Sequence, residues 1–218
     1  MNNGWFSKFI VMSVLGLVIF AGSQQAFANY QQAQASFQRR DFVNAAGAFY
    51  NAYTSAKSTA ERRKAEWGLA QSLQKLEFYY SASKYYSTIV RRGPGGDNPF
   101  FRMAMEELGQ INSRIPLGQS HVVALFKSKI DPGSVPGQAR GFYYYYSGLD
   151  LFANRSYEKA TTLLRRVPPG SPYYTRALFY AGVVANAAGN SDRAVDLFQQ
   201  VRRMSGDGLQ GEYQRELA

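Results

Sequence analysis

One spacing recurs four times in this chain: a small residue, an alanine twelve positions later, and a large apolar or aromatic residue four positions beyond that. Ala33, Ala45 and Phe49 form the first copy, and Ala70, Ala82 and Tyr86 the second. Gly148, Ala160 and Leu164 form the third, and Gly182, Ala194 and Phe198 the fourth. The small residues at 148 and 182 lie 34 residues apart, and those at 33 and 70 lie 37 apart. Such a period marks an array of identical units, each unable to bury its apolar face alone. The spacing predicts a helical hairpin in every copy. The small residue on the first helix and the alanine on the second stand where the two backbones touch, and a larger side chain there would force them apart. The large residue one turn after the alanine is expected to fill the gap toward the next hairpin.

Turn chemistry falls between the expected helices, at Arg40-Asp41, at Asn154-Arg155-Ser156 and at Ala188-Gly189-Asn190-Ser191-Asp192. Proline ends the second helix at Pro94 and at Pro168-Pro169, with Pro172 following. The resulting map holds five hairpins. Their helix pairs are 30–39 with 42–57, 61–75 with 78–92, 99–113 with 118–129, 137–153 with 156–166, and 172–188 with 191–204. The middle pair, within Pro99 to Asp131, departs from the repeat, with Pro116 and Gly118 between its helices. Residues 207–218 are expected to begin a further helix, either a closing cap or the front of a longer array.

The pattern resembles the tetratricopeptide repeat. Trp67-Gly68-Leu69-Ala70 with Ala82 and Tyr86 carry the resemblance, as do Gly148 with Tyr157, Ala160 and Leu164, and Gly182 with Gly189, Ala194 and Phe198. The linker Val167-Pro168-Pro169-Gly170-Ser171-Pro172-Tyr173-Tyr174 is similar to those of large exported repeat proteins of deltaproteobacterial type. The resemblance spans roughly residues 29–206 and implies an all-α fold, an α-solenoid of about five helical hairpins. It also implies a groove lined by fixed positions of each first helix. Those positions are Tyr30, Gln34 and Phe37; Trp67, Gln71 and Gln74; Tyr145, Leu149 and Phe152; and Phe179, Val183 and Asn186. The Lys and Asn set with which some members clamp a terminal carboxylate is missing. The implied occupant is a protein or peptide with apolar anchors.

The first 28 residues read as an address. Met1 to Lys8 is short and polar, Phe9 to Gly22 carries no charge, and Ala26-Phe27-Ala28 offers a small-x-small cleavage site. The uncharged run is shorter than the ~20 residues of a membrane span. Cleavage after Ala28 is expected, leaving Asn29 first; the alternative is an uncleaved anchor in the inner membrane. Either reading places the chain in the periplasm or at the periplasmic face of a bacterial envelope. The absence of cysteine excludes disulfides, thiolate metal sites and lipoprotein anchoring.

Chemistry-bearing motifs are sparse. His121 is the only histidine, with no metal-ligand spacing around it and no nucleophile elbow near it. Gly93-Pro94-Gly95-Gly96-Asp97 lacks the Lys-Ser/Thr and the preceding strand of a phosphate loop. Glu106 and Glu107 are adjacent, so on a helix they diverge by about 100°. No catalytic residue, metal or cofactor is expected. Lys and Arg number 25 against 15 acidic residues, a formal charge of +10. Arginine pairs recur, among them Arg91-Arg92, Arg165-Arg166 and Arg202-Arg203, near expected helix C-termini where cations suit the dipole. The alternative use of these pairs is a ridge that docks anionic envelope polymer or lipid headgroups; the export signal speaks against nucleic acid. Finally, Phe142-Tyr143-Tyr144-Tyr145-Tyr146 would place rings on every side of a helix, as dense packing or as a recognition surface.

Overall fold

A computed structural model describes residues 28–115, 122, 125 and 130–205. The expected signal segment, His121, nearly all of the expected helix 118–129 and the C-terminal segment 207–218 lie outside the described residues. Helix α1 occupies 28–38. It is followed by α2 (Phe42–Ser55), α3 (Thr59–Lys75), α4 (Tyr79–Arg91) and α5 (Phe101–Asn112). Two 3-10 turns, Pro132–Ser134 and Gly137–Ala139, lead into α6 (Arg140–Ala153), α7 (Tyr157–Leu164), α8 (Tyr174–Ala187) and α9 (Ser191–Ser205). No strand occurs among the described residues. None of their helices is long and apolar enough to cross a membrane. The chain divides into two compact units, Met1–Tyr85 and Tyr86–Ala218.

In the first unit, Ala33, Ala45, Phe49 and Leu69 form a buried cluster, with Tyr30, Phe37, Leu73 and Tyr85 packed around it. Both small members of the first repeat are therefore where two helices meet. Phe49 lies over Gly68 of the next hairpin, where a Cβ would come within 2.5 Å of Cε1 and Cζ of the ring. That is the expected gap-filling role, and it requires a residue without a side chain at 68. Helix α3 starts in a capping box: Ser58 Oγ accepts from the Glu61 N–H at 3.2 Å, and Glu61 Oε2 accepts from the Ser58 N–H at 3.2 Å. The box satisfies two of the amide groups that a helix start leaves without partners.

In the second unit the large residue likewise stands over a glycine. A Cβ on Gly148 would meet Leu164 Cγ at 2.6 Å, and one on Gly182 would meet Phe198 Cε1 at 2.6 Å. Here the side chain closes on the glycine of its own hairpin. The expected gap filling toward the next hairpin thus holds for Phe49, while the hairpin that would follow Phe198 lies outside the described residues. Asn98 pins the glycine-rich linker after α4 by donating from Nδ2 to the carbonyls of Ile89 and Gly93, both at 2.8 Å.

The four described hairpins close in one way. Arg40, Glu77, Arg155 and Gly189 each have φ between +58° and +79°. The amide of each donates three residues back, and the next amide donates five residues back: Asp41 to Ser36, Phe78 to Leu73, Ser156 to Leu151 and Asn190 to Ala185, all at 2.9 Å. This is the Schellman closure, in which a left-handed residue lets the last carbonyls of a helix find partners. Only one of the four positions holds the glycine that such a conformation favours.

Candidate interaction surface

The first-helix positions of the first unit are half-buried throughout: Tyr30, Gln34 and Phe37 on α1, and Trp67, Gln71 and Gln74 on α3. Tyr30 and Phe37 lean edge-on against Phe49, with ring centres 5.7 and 6.4 Å away. Gln34 Nε2 donates to the Tyr30 hydroxyl at 3.2 Å. Burial raises the Tyr30 pKa above the ordinary 10.0. The face is a partly wet mixture of rings and amides, the composition of adaptable protein contacts.

In the second unit, Leu149 and Phe152 on α6 and Phe179 and Val183 on α8 are half-buried, and Asn186 is exposed. Phe152 rests on Tyr157 at 6.1 Å and Phe179 on Phe198 at 5.7 Å, so each ring is braced by the second helix of its hairpin. Tyr145 is not part of this face. It is 1% exposed and stacks on Tyr173 at 5.3 Å, with Tyr146 at 5.0 Å and Tyr180 at 6.1 Å completing its surroundings. The cause is the proline-rich linker after α7, which delivers Tyr173 onto the flank of α6. The Tyr173 hydroxyl donates to the Gly109 carbonyl at 2.6 Å, and Asn112 Nδ2 donates to the Tyr146 hydroxyl. Burial pushes the Tyr173 pKa far upward. Of the five consecutive rings, Phe142, Tyr145 and Tyr146 are buried while Tyr143 and Tyr144 are half-buried. The run therefore serves mainly as packing between α6, α5 and the linker.

Arg91, Arg92, Arg165, Arg166, Arg202 and Arg203 are all exposed. Arg91 is the last residue of α4, Arg165 caps α7, and Arg202 and Arg203 lie in the last turn of α9. Each pair is where a cation meets the negative end of a helix. Among the described residues, no group of three or more His, Asp or Glu side chains could hold a metal ion.

A feature with no counterpart in the repeat pattern lies between hairpins α6–α7 and α8–α9. A cleft of about 620 Å³ opens between the start of α7 and the turn joining α8 to α9. Arg155, Glu158 and Lys159 line one wall, Arg193 the other, and Ala185 and Ala187 leave it roomy. A smaller cleft of about 370 Å³ shares Glu158 and Lys159 and adds Leu151, Leu163 and Arg166. Alternation of charge and alanine at turns carries no periodic signal, so of these residues only Arg155, as part of a turn, and Arg166, in an arginine pair, stood out in the sequence.

With this geometry described, comparison with known proteins adds the following. Residues 145–208, which include most of α6 and all of α7, α8 and α9, match the tetratricopeptide repeat family. Such repeats typically mediate contacts between proteins and are typically not enzymes. No curated protein matches the chain. Similar solved structures include MamA 41-end from Desulfovibrio magneticus RS-1, at 15% identity over 84% of this chain and 98% of that one, with a TM-score of 0.49. The MamA RS-1 ArsTM double mutant is similar at 16% identity, with the same coverage and TM-score.

Proposed function

From the tetratricopeptide match over residues 145–208, we propose that this protein is an exported, non-catalytic interaction scaffold of the bacterial envelope. A partner protein or peptide is held against the faces of the first helices. The observation that carries the reading is the state of the residues there. Trp67, Leu149, Phe152, Phe179 and Val183 are large or branched apolar side chains left half-buried on first helices, in hairpins whose cores are already filled by others. Rings braced on one side and open on the other lose little freedom on binding, which favours them as anchors. The export reading is supported by the uncharged run Phe9 to Gly22 followed by Ala26-Phe27-Ala28.

The test is affinity capture from envelope extract with the wild-type protein and with a Phe152→Ala plus Phe179→Ala variant, whose fold is checked by circular dichroism. Partners retained by the wild type are expected to be lost by the variant. Full retention by a folded variant would refute the groove. N-terminal sequencing of protein recovered from its native host tests export, with Asn29 as the expected first residue.

A further inference from the structure

The two clefts adjoin along α7, where Glu158 and Lys159 line both. Helix α7 has eight residues, a length of about 12 Å at 1.5 Å per residue. An extended peptide of about four residues covers that distance. Four cations border the track, Arg155, Lys159, Arg193 and Arg166, against one carboxylate, Glu158. None of these four cations is held in an ion pair among the described residues. Arginine guanidinium groups match carboxylates in a bidentate manner, and a lysine adds a point charge. Ala185 and Ala187 on α8, whose side chains end at Cβ, also line the larger cleft, while Leu151 and Leu163 offer an apolar seat in the smaller one.

We propose that this track is a second binding site, for a short acidic peptide segment carrying one apolar residue among its carboxylates. It uses none of the first-helix positions named for the groove and is tested independently of them. Concavity decides between a peptide and a lipid surface. Arg155, Lys159 and Arg193 line a cleft that Ala185 and Ala187 also border, where a side chain of an extended segment can enter, whereas a bilayer meets cations that stand out on a convex or flat face. The lone Glu158 also disfavours a uniform polyanion and sets a register, since a carboxylate opposite it is repelled.

The test is fluorescence anisotropy with the full chain and a fluorescein-labelled peptide of four glutamates around one leucine, at physiological salt. Lys159→Glu with Arg193→Glu is expected to weaken binding by about tenfold or more. Lys57→Glu with Lys64→Glu makes the same charge change at exposed positions of the other unit and is expected to weaken it less than about threefold. Ala187→Phe fills the cleft without changing charge and is also expected to weaken binding, which general electrostatic attraction would not explain. Lys159→Gln with Arg193→Gln, run beside the reversal with circular dichroism on each, is expected to give a smaller but clear loss. No binding by the wild type, equal losses from the two reversal pairs, or unchanged binding by Ala187→Phe would each overturn the proposal. So would binding to phosphatidylglycerol vesicles that depends on Lys159 and Arg193 and exceeds binding to the peptide.

Discussion

Gly47 and Gly68 lie in the interiors of neighbouring helices of the same unit, yet alanine should affect them in opposite ways. A Cβ on Gly47 would meet nothing within 4 Å, and the residue is exposed. Alanine there only improves helix propensity, a gain of about 1 kcal/mol. A Cβ on Gly68 would stand 2.5 Å from Phe49 Cε1 and Cζ and 2.7 Å from Cδ1. The ring has little room to withdraw, since Phe49 is 4% exposed and has Tyr30 and Phe37 on either side. The same propensity gain is then set against an overpacking penalty of about 1–3 kcal/mol. Propensity cancels in the comparison, so the two variants should differ by that penalty alone. The assay is urea denaturation followed by circular dichroism, reading the midpoint at unchanged slope. Gly47→Ala should raise the midpoint, and Gly68→Ala should fall below it by the stated gap. Phe49→Leu, harmful by itself, should be less so in the Gly68→Ala background, because the smaller side chain vacates the contested space. Equal shifts from both glycine variants, or strict additivity with Phe49→Leu, would refute the close-approach argument.

The left-handed turns offer a second measurement. Arg40→Gly, Glu77→Gly and Arg155→Gly should each stabilise by a few tenths to about 1 kcal/mol, read as an increase in denaturation midpoint. Tyr173→Phe removes the donor to the Gly109 carbonyl and should cost about 1–2 kcal/mol by the same assay, because a buried acceptor is left without its partner. Alkaline stability follows from Tyr86 and Tyr173, both held far above the ordinary 10.0 by burial. The folded protein keeps these protons more tightly than the unfolded chain. Their contribution is therefore complete below pH 10 and is lost progressively as the pH rises above it. Tyrosinate absorbance should show exposed phenols titrating first and these two ionising only together with loss of helical circular dichroism.

The hairpins were legible because the small–Ala–large spacing is itself a record of contact between helices. Ala33 with Ala45, and Gly148 with Ala160, mark the touching points directly, and the observed helices begin and end within a few residues of the expected ones. Tyr145 was misread for a related reason. Its register matches that of Phe179, but its burial is decided by Tyr173, which arrives from a linker that no repeat period describes. The same limit applies to the acidic-peptide track. A cleft is defined by what is missing, the side chains of Ala185 and Ala187, and by cations at a turn, whereas periodicity reports only positions that are filled.

The shared closure of the four hairpins has a consequence for how such a chain can change. Arg40, Glu77, Arg155 and Gly189 occupy equivalent posts, all exposed, and the backbone there holds its shape whether the side chain is cationic, anionic or absent. The packed helices, not the residue at the post, enforce the bend. Each hairpin thus carries one outward-facing slot whose occupant can be exchanged for little more than the strain of a left-handed residue. The repeat can acquire new surface specificity at its bends while its interior stays as it is, and Arg155 beside the cleft is one such slot put to use.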